Sequence, residues 1–263
     1  MRGSRPFFLY VHLNDVHEPY DEKPPYYTKQ MDDLEDRRAR YLSEIAYTDE
    51  HIREIYEALE LGDDTIVAVV SDHGEEFRDH GGLGHRSRLY VELNRVLMLV
   101  RAPALGLDPR RITANVSLID VLPTLVELAG GTPPANVRGT SLAPLLRASG
   151  EERRALAERL SGRTLFAHRR GQGQARPYWA AIRGPWKLIE TPRSRLELYD
   201  HRSDPGEKRN LHLHTTNLVG PPSEMLVELR AFQETAPDEK PEVVQVEIDE
   251  ELHETLRALG YVE

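Results

Sequence analysis

Two aspartates, three histidines and four glycines lie close together in residues 71–85, which read S-D-H-G-E-E-F-R-D-H-G-G-L-G-H. Asp72 offers a hard oxygen ligand and His73 a nitrogen ligand, a combination that suits a divalent cation. His85 comes twelve positions after His73. The glycines between them allow the chain to fold back, because glycine adopts backbone conformations that other residues avoid. The spacing therefore predicts that both histidines face one pocket.

Two further histidines, His12 and His17, lie at and just beyond the end of an apolar run at residues 7–13. With Asp72 and His73 they form a candidate site for a cation and an oxyanion such as sulfate or phosphate, whose negative charge the cation and histidines would neutralise. These residues also have simpler structural interpretations. Asp72 can cap a turn after a strand, and a single histidine is more often a packing or capping residue.

Apolar segments predict the strands that must position these side chains. Residues 65–71 are β-branched and apolar on both faces, which is typical of a central parallel strand. Residues 7–13 are interpreted as a buried strand, and residues 96–100 as another. In open α/β sheets, functional sites gather beyond the carboxyl ends of the strands. Gly74 would let the backbone turn sharply beside a bound ion.

Helical periodicity appears at residues 37–60 and again at residues 120–129, where Asp120 is a possible N-cap. The alternation of strands and helices predicts an α/β layered sheet over residues 1–150. After residue 150 the pattern changes to an α+β subdomain over residues 151–263, with a small antiparallel sheet. That subdomain is expected to contain strands at residues 178–182, 186–190 and 196–199, and helices at residues 151–160, 223–233 and 249–259.

The composition excludes several classes of protein. The chain has 263 residues, a formal net charge of −10 and no cysteine. An acidic protein without a basic face is not a general nucleic-acid binder. The absence of cysteine excludes disulfides and a cysteine nucleophile within these residues. No run reaches the ~18 uncharged apolar residues that a membrane helix needs, so we expect no membrane span in this chain.

Several segments together resemble the sulfatase family, within the alkaline-phosphatase-like superfamily. The segment at residues 71–85 is similar to the family's metal loop, and Asp15 to Tyr20 is similar to its "D-P-H-x-P-Y" loop. Further similar pieces follow in family order at residues 41–49, 89–96, 116–125, 138–142, 186–188 and 198–207.

The resemblance implies a partial alkaline-phosphatase-like sheet with flanking helices, and a hydrolase of small-molecule or carbohydrate sulfate esters. It implies that Asp72 and His73 are ligands of a divalent metal, calcium in most sulfatases, with manganese or magnesium as possible substitutes. It also implies that His17 contacts the sulfate or the ester oxygen. His85 stands where relatives place a histidine or lysine that contacts the substrate and helps the leaving group depart.

One departure from the family pattern concerns the nucleophile. Sulfatases carry a cysteine or serine in a "C/S-x-P-S/T-R" motif, converted to formylglycine, and this motif is absent here. We therefore expect that the chain corresponds to the C-terminal half of a sulfatase, that formylglycine belongs to the missing N-terminal part, and that this chain alone is inactive. Two alternatives stay open. The same scaffold could hydrolyse phosphate or phosphonate esters, or the chain could be a catalytically dead remnant.

Overall fold

The computed structural model describes residues 6–85, 88–169, 177–214 and 217–235. These fall into two compact units, which meet in the sequence between Glu60 and Leu61. The predicted division between residues 150 and 151 rests on the change in sequence pattern and stays a prediction. The helix predicted at residues 249–259 lies outside the described residues. No helix in the described ranges is both long enough and apolar enough to cross a membrane.

The first unit is built on one long helix, α1 (Asp33–Ala58). It begins four residues before the predicted start because Asp32 caps it, accepting hydrogen bonds from the backbone N–H groups of Leu34 and Glu35 (3.0 Å each). Asp36 is buried in the first turn, where it accepts hydrogen bonds from the Tyr27 hydroxyl and the Arg40 guanidinium. These bonds, that of Tyr27 above all, hold the pKa of Asp36 well below its ordinary value.

The prediction of a buried strand at residues 7–13 is wrong. These residues form no strand, and their large apolar side chains are exposed, Phe8 by 85% and Tyr10 by 73%. A strand is stabilised by backbone pairing with a neighbour. No such neighbour for residues 7–13 exists among the residues that the structure describes. Apolar composition indicated a tendency to burial but could not identify the surface that provides it.

The second unit begins with an antiparallel pair, β1 (Val67–Val70) and β4 (Met98–Arg101). The expectation of a central parallel strand is therefore not met, since the one described neighbour of β1 runs in the opposite direction. Val70 and Leu99 are 44% and 56% exposed. The apolar character of both faces of β1 thus does not correspond to burial on both faces here.

Three helices follow β4 and pack beside one another: α3 (Val121–Leu128), α4 (Ala143–Arg147) and α5 (Gly150–Gly162). Asp120 precedes α3. The sequence suggested that its side chain could cap this helix, but the side chain makes no capping hydrogen bond there. Its fully buried carboxylate accepts hydrogen bonds from the backbone N–H groups of Ser117 and Thr140 and from the guanidinium of Arg163. Asp120 therefore joins three separate segments of this unit.

A four-stranded antiparallel meander completes the second unit, as predicted. Its order is β5 (Leu165–Arg169), β6 (Tyr178–Arg183), β7 (Trp186–Glu190) and β8 (Leu196–Asp200), of which β5 was not anticipated. Helix α6 (Pro221–Thr235) covers one face. Met225 and Leu229 of this helix are fully buried against Ala181 and Leu188 of the sheet. The periodic apolar face of α6 thus provides the core of this part.

Candidate active site

The end of β1 fixes the point at which the candidate site loop leaves the sheet. The backbone N–H of Ser71 donates to the carbonyl oxygen of Leu97 (3.1 Å), and the Ser71 hydroxyl accepts from the Leu97 N–H (2.9 Å). These bonds extend the pairing of β1 with β4 by one residue. Asp72 and His73 therefore follow directly from the carboxyl end of an anchored strand.

The carboxylate of Asp72 is 83% exposed and holds a local turn. Its Oδ1 accepts a hydrogen bond from the backbone N–H of His73 (2.9 Å), and its Oδ2 lies 3.7 Å from Nε2 of the His73 ring. The capping turn that the sequence allowed is thus present. It engages one carboxylate oxygen and leaves the other beside the imidazole.

The ring of His73 is oriented by the backbone of the next residue. Its Nδ1 lies 2.8 Å from the carbonyl oxygen of Gly74, and a carbonyl can only accept, so Nδ1 carries the proton. In the neutral ring the lone pair is then on Nε2, the atom that faces Asp72. Two ligands 3.7 Å apart can both lie at the usual 2.3–2.6 Å from one calcium ion.

The chemistry of these two groups suits a divalent cation, but two groups do not form a full coordination shell. Calcium takes about 6–8 ligands, mostly oxygen. Across the described ranges, no group of three or more histidine, aspartate or glutamate side chains is arranged to hold a metal. The described chain therefore offers a partial site with one carboxylate oxygen and one imidazole nitrogen.

His85 lies against His73, as the glycine-rich spacing predicted. The two rings stack with their centroids 4.3 Å apart and their planes inclined by 29°. A short hairpin between them brings this about: β2 (Glu76–Phe77) pairs with β3 (Leu83–Gly84) in antiparallel register. We call residues 75–85 the site hairpin. Its pairing returns the chain to the place where it left β1.

Glu75 is a member of this cluster that the sequence argument missed. Glu76 pairs with Gly84, so the residues just outside this pair, Glu75 and His85, must lie side by side. The carboxylate oxygens of Glu75 are 3.2 and 3.3 Å from Nδ1 of His85, and the Glu75 side chain is only 4% exposed. The register of two very short strands is what places Glu75 beside His85, and hydrophobic periodicity does not reveal that register.

Gly74 has a different role from the predicted one. It does not adopt the positive φ of a sharp glycine turn. Instead its backbone N–H donates to the carbonyl oxygen of Leu93 (3.0 Å), and an added Cβ would lie 2.0 Å from the carbonyl oxygen of Glu92. Both belong to the short helix α2 (Val91–Asn94). Glycine is needed here because two backbone segments approach closely.

His17 belongs to the first unit, whereas Asp72, His73 and His85 belong to the second. Its ring is exposed, and its Nδ1 lies 2.7 Å from the carbonyl oxygen of Glu18, which orients it as Gly74 orients His73. Its approach to the other three residues stays a prediction. His12 is also exposed and contacts Tyr10 and Asn14.

Two family models match this chain in overlapping segments. The model described as Sulfatase matches residues 1–131, and the model described as N-sulphoglucosamine sulphohydrolase, C-terminal, matches residues 79–219, which is more than half of the chain. The chain belongs to the sulfatase family. The two matched segments overlap from residue 79 onward, so the second half of the site hairpin lies in both.

Two curated sulfatases of Bacteroides thetaiotaomicron illustrate the relationship. A Delta 4,5-hexuronate-2-O-sulfatase is 27% identical over 161 residues, which cover 57% of this chain and 31% of the relative. An Endo-4-O-sulfatase is 27% identical over 239 residues, covering 81% of this chain and 46% of the relative. The chain therefore spans less than half the length of either sulfatase.

The solved structure of a phosphonate monoester hydrolase is also similar to this chain. The phosphonate monoester hydrolase of Agrobacterium radiobacter matches with a TM-score of 0.61 and 26% identity, over 76% of this chain and 42% of that protein. The sulfatase fold is thus shared with an enzyme whose name specifies another ester.

Proposed function

We propose that this chain forms the metal-loop part of a metal-dependent hydrolase of sulfate esters. The observation that carries this proposal is the cluster at the end of β1, where the Asp72 carboxylate lies beside His73 and the rings of His73 and His85 stack. A hard oxygen, an imidazole lone pair and a second imidazole together suit a cation and the oxyanion that it binds.

In this proposal Asp72 and His73 bind the divalent cation through Oδ2 and Nε2. Calcium is the expected ion, and manganese or magnesium could take its place. When bound, the cation supplies positive charge that stabilises the negative oxygens of the ester. The part that this chain contributes is orientation, because the Gly74 carbonyl and the His73 backbone N–H fix the two ligands.

His85 is proposed to protonate the departing alkoxide, and His17 to contact the sulfate or ester oxygen. The carboxylate of Glu75 lies 3.2 Å from Nδ1 of His85 and so fixes the orientation of that ring. In this proposal Nε2 is the ring atom that donates a proton to the leaving group. Glu75 is thus a positioning residue, and His85 is the residue that contacts substrate.

The covalent step requires a nucleophile that these residues do not contain. The chain has no cysteine and no "C/S-x-P-S/T-R" motif. We therefore place the formylglycine nucleophile of the complete reaction in sequence outside these 263 residues. A sulfated carbohydrate is the proposed substrate class, because one relative is named for a hexuronate 2-O-sulfate.

A second candidate function is hydrolysis of phosphate or phosphonate monoesters by the same site. The similarity to a phosphonate monoester hydrolase favours it, and an Asp-His cation site does not discriminate between the two oxyanions.

The test is an assay of the full-length gene product on an aryl sulfate and on an aryl phosphonate, each with calcium. Asp72→Asn is expected to lower kcat/KM for the preferred ester at least ~100-fold, because removing an electrostatic stabiliser typically costs that much. Asp64→Asn is the matched control, since Asp64 is an exposed aspartate just before β1. Faster turnover of the phosphonate would favour the second function, and an active Asp72→Asn variant would contradict the proposed site.

A further inference from the structure

His80 lies at the tip of the site hairpin, and neither the family resemblance nor the proposed reaction gives it a role. Its side chain is 10% exposed. Nδ1 lies 2.7 Å from Oε1 of Glu92, in α2, and Nε2 lies 2.8 Å from the carbonyl oxygen of Glu207, 127 positions further along the chain. The ring of Tyr90 stacks on it with centroids 3.8 Å apart. Two segments, residues 90–92 and Glu207, thus contact the imidazole of the hairpin tip.

Both ring nitrogens face hydrogen-bond acceptors. The Glu207 carbonyl can only accept, so Nε2 must carry a proton. The contact between Nδ1 and Glu92 needs a second proton, on either the ring or the carboxylate. A carboxylic acid is ordinarily more acidic than an imidazolium, so the second proton belongs on Nδ1. The geometry therefore requires two protons on this arrangement, and we place both on the ring, opposite the Glu92 carboxylate.

Glu207, whose carbonyl oxygen accepts from His80, is itself held in place by its side chain. The Glu207 carboxylate is 1% exposed and accepts hydrogen bonds from the Lys187 ammonium (3.2 Å) and from the backbone N–H of Val91 (2.9 Å), and its Oε1 lies 2.6 Å from Nε2 of His201. Lys187 belongs to β7 and His201 follows β8. The tip of the hairpin is thus attached to the four-stranded sheet.

The hairpin transmits this attachment to the candidate site. Oε1 of Glu76, which is 1% exposed, accepts from the backbone N–H groups of His80 (2.9 Å) and Gly82 (2.6 Å). An added Cβ at Gly82 would lie 2.3 Å from Oε2 of Glu76, so the backbone of the tip lies close against this carboxylate. From Glu76 the strand pairing leads directly to Glu75 and His85.

We propose that His80 is a positioning residue which, as a doubly protonated ring, fastens the site hairpin to Glu92 and Glu207 and so holds Glu75, His73 and His85 together. The proposal rests on the proposed function only in its last step, the effect on cation binding. Other titratable and charged groups surround the His80 ring and its contacts. Those on the elements packed against the hairpin are Arg88, Tyr90, Glu92, Lys187, His201, Glu207 and Lys208, and those within the hairpin are Glu76 and Asp79.

The first test is the protonation state of the ring. In the full chain labelled with ¹⁵N-histidine, long-range ¹H–¹⁵N correlation spectra at about pH 7.5 should show both ring nitrogens of His80 protonated. An unperturbed imidazole is about nine-tenths neutral at that pH. His168, exposed on β5, is the internal reference. One protonated and one unprotonated nitrogen in His80 would overturn the proposal.

The second test measures the attachment. In His80→Gln the charged ring that donates to both acceptors is lost. Amide hydrogen exchange at residues 76–84 should then be about 10- to 100-fold faster, as expected for loss of a charge-assisted hydrogen bond. Glu92→Gln keeps the His80 ring and the length of the side chain at position 92 but removes the carboxylate. It should speed hydrogen exchange in the hairpin to the same extent. His168→Gln should change nothing in the hairpin. Unaltered exchange in both Glu92→Gln and His80→Gln would contradict the proposal.

The third test links the tip to the site. Calcium titration of the ring signals of His73 and His85 should show binding weakened about tenfold in Glu92→Gln, whereas His168→Gln should bind as the unaltered chain does. If the unaltered chain binds no calcium, the metal part of the proposed function fails, while the protonation and exchange results still decide the role of His80. Equal calcium binding in Glu92→Gln and the unaltered chain would overturn the positioning role.

Discussion

At the scale of single residues, the candidate site depends on side chains oriented by short local contacts. Nδ1 of His73 is held by the next carbonyl along the chain, and Nδ1 of His85 by the Glu75 carboxylate. In each case Nδ1 is the ring nitrogen that these contacts hold in place. The close approach of Gly74 to α2 sets where these contacts form, because it fixes the path of the loop.

Gly74→Ala is expected to destabilise the chain by about 1–3 kcal/mol, since overpacking forces a backbone shift of that cost. The added Cβ would lie 2.0 Å from the Glu92 carbonyl oxygen, which is part of the backbone and cannot rotate away. Gly162→Ala, at the end of α5, should be neutral or slightly stabilising, because a Cβ added there would meet nothing within 4 Å. Urea unfolding of both variants measures the difference, and equal midpoints would show that the loop can move away from α2.

Glu207 gives a prediction about pH. Burial acts to raise the pKa of Glu207, but the hydrogen bond from His201 and the charge of Lys187 outweigh it and hold the pKa below its ordinary value. The ionised form is therefore favoured by folding. Its contribution to stability is fully present above about pH 4.3, the ordinary glutamate pKa, and is lost as the pH falls through the lower value of the folded chain.

Replacing Glu207 with glutamine should accordingly cost about 3–5 kcal/mol at neutral pH, because Lys187 is then left buried without its counter-ion. The difference in unfolding free energy from the unaltered chain should shrink as the pH is lowered below about 4. Glu158→Gln, at an exposed position of α5, is the control and should show neither effect. A deficit in Glu207→Gln that does not depend on pH would mean that shape, not charge, is what Glu207 contributes.

At the scale of elements, periodicity was a good guide where one element packs on another. The apolar spacing over residues 37–60 predicted α1, and the change of pattern after residue 150 predicted both the helix at residues 223–233 and the antiparallel sheet. Periodicity failed where the partner was not implied by the segment itself. Residues 7–13 and β1 are apolar whatever lies beside them, so neither burial nor strand direction could be inferred.

The candidate site was predicted to a similar extent, for similar reasons. Residue type and strand-end position identified Asp72 and His73, and glycine spacing brought His85 to them. Glu75 and His80 were missed because their roles depend on the register of two-residue strands and on a carbonyl 127 positions away. Contacts of that kind leave no periodic trace in the sequence.

Helix α6 gives the stability prediction at this scale. Leu229→Ala should cost about 2–5 kcal/mol, the usual range for removing a fully buried leucine side chain. Leu229 has no exposed surface and packs in the cluster with Leu188 and Leu198. Val227→Ala on the same helix is the control, since Val227 is 68% exposed. Chemical denaturation compares them, and similar losses would mean that α6 does not cover the sheet as described.

At the scale of the whole molecule, the proposed reaction needs more groups than the cluster at the end of β1 provides. Among the described residues no group of three or more side chains is arranged to hold a metal, and the sequence contains neither cysteine nor the formylglycine motif. Family membership establishes ancestry and fold. Turnover requires in addition that a nucleophile and a filled coordination shell be present together.

We therefore expect that residues 1–263 alone hydrolyse no sulfate ester. Cation affinity should be weak, because water must complete a shell that calcium fills with about 6–8 ligands. The proposed covalent step uses a formylglycine, whose motif these residues lack, and attack by water alone forgoes the acceleration that covalent catalysis provides. The measurement is release of phenol from an aryl sulfate by the purified chain with calcium or manganese, beside Asp72→Ala as control. Turnover that exceeds the buffer rate and disappears in Asp72→Ala would show that a nucleophile lies within these residues after all.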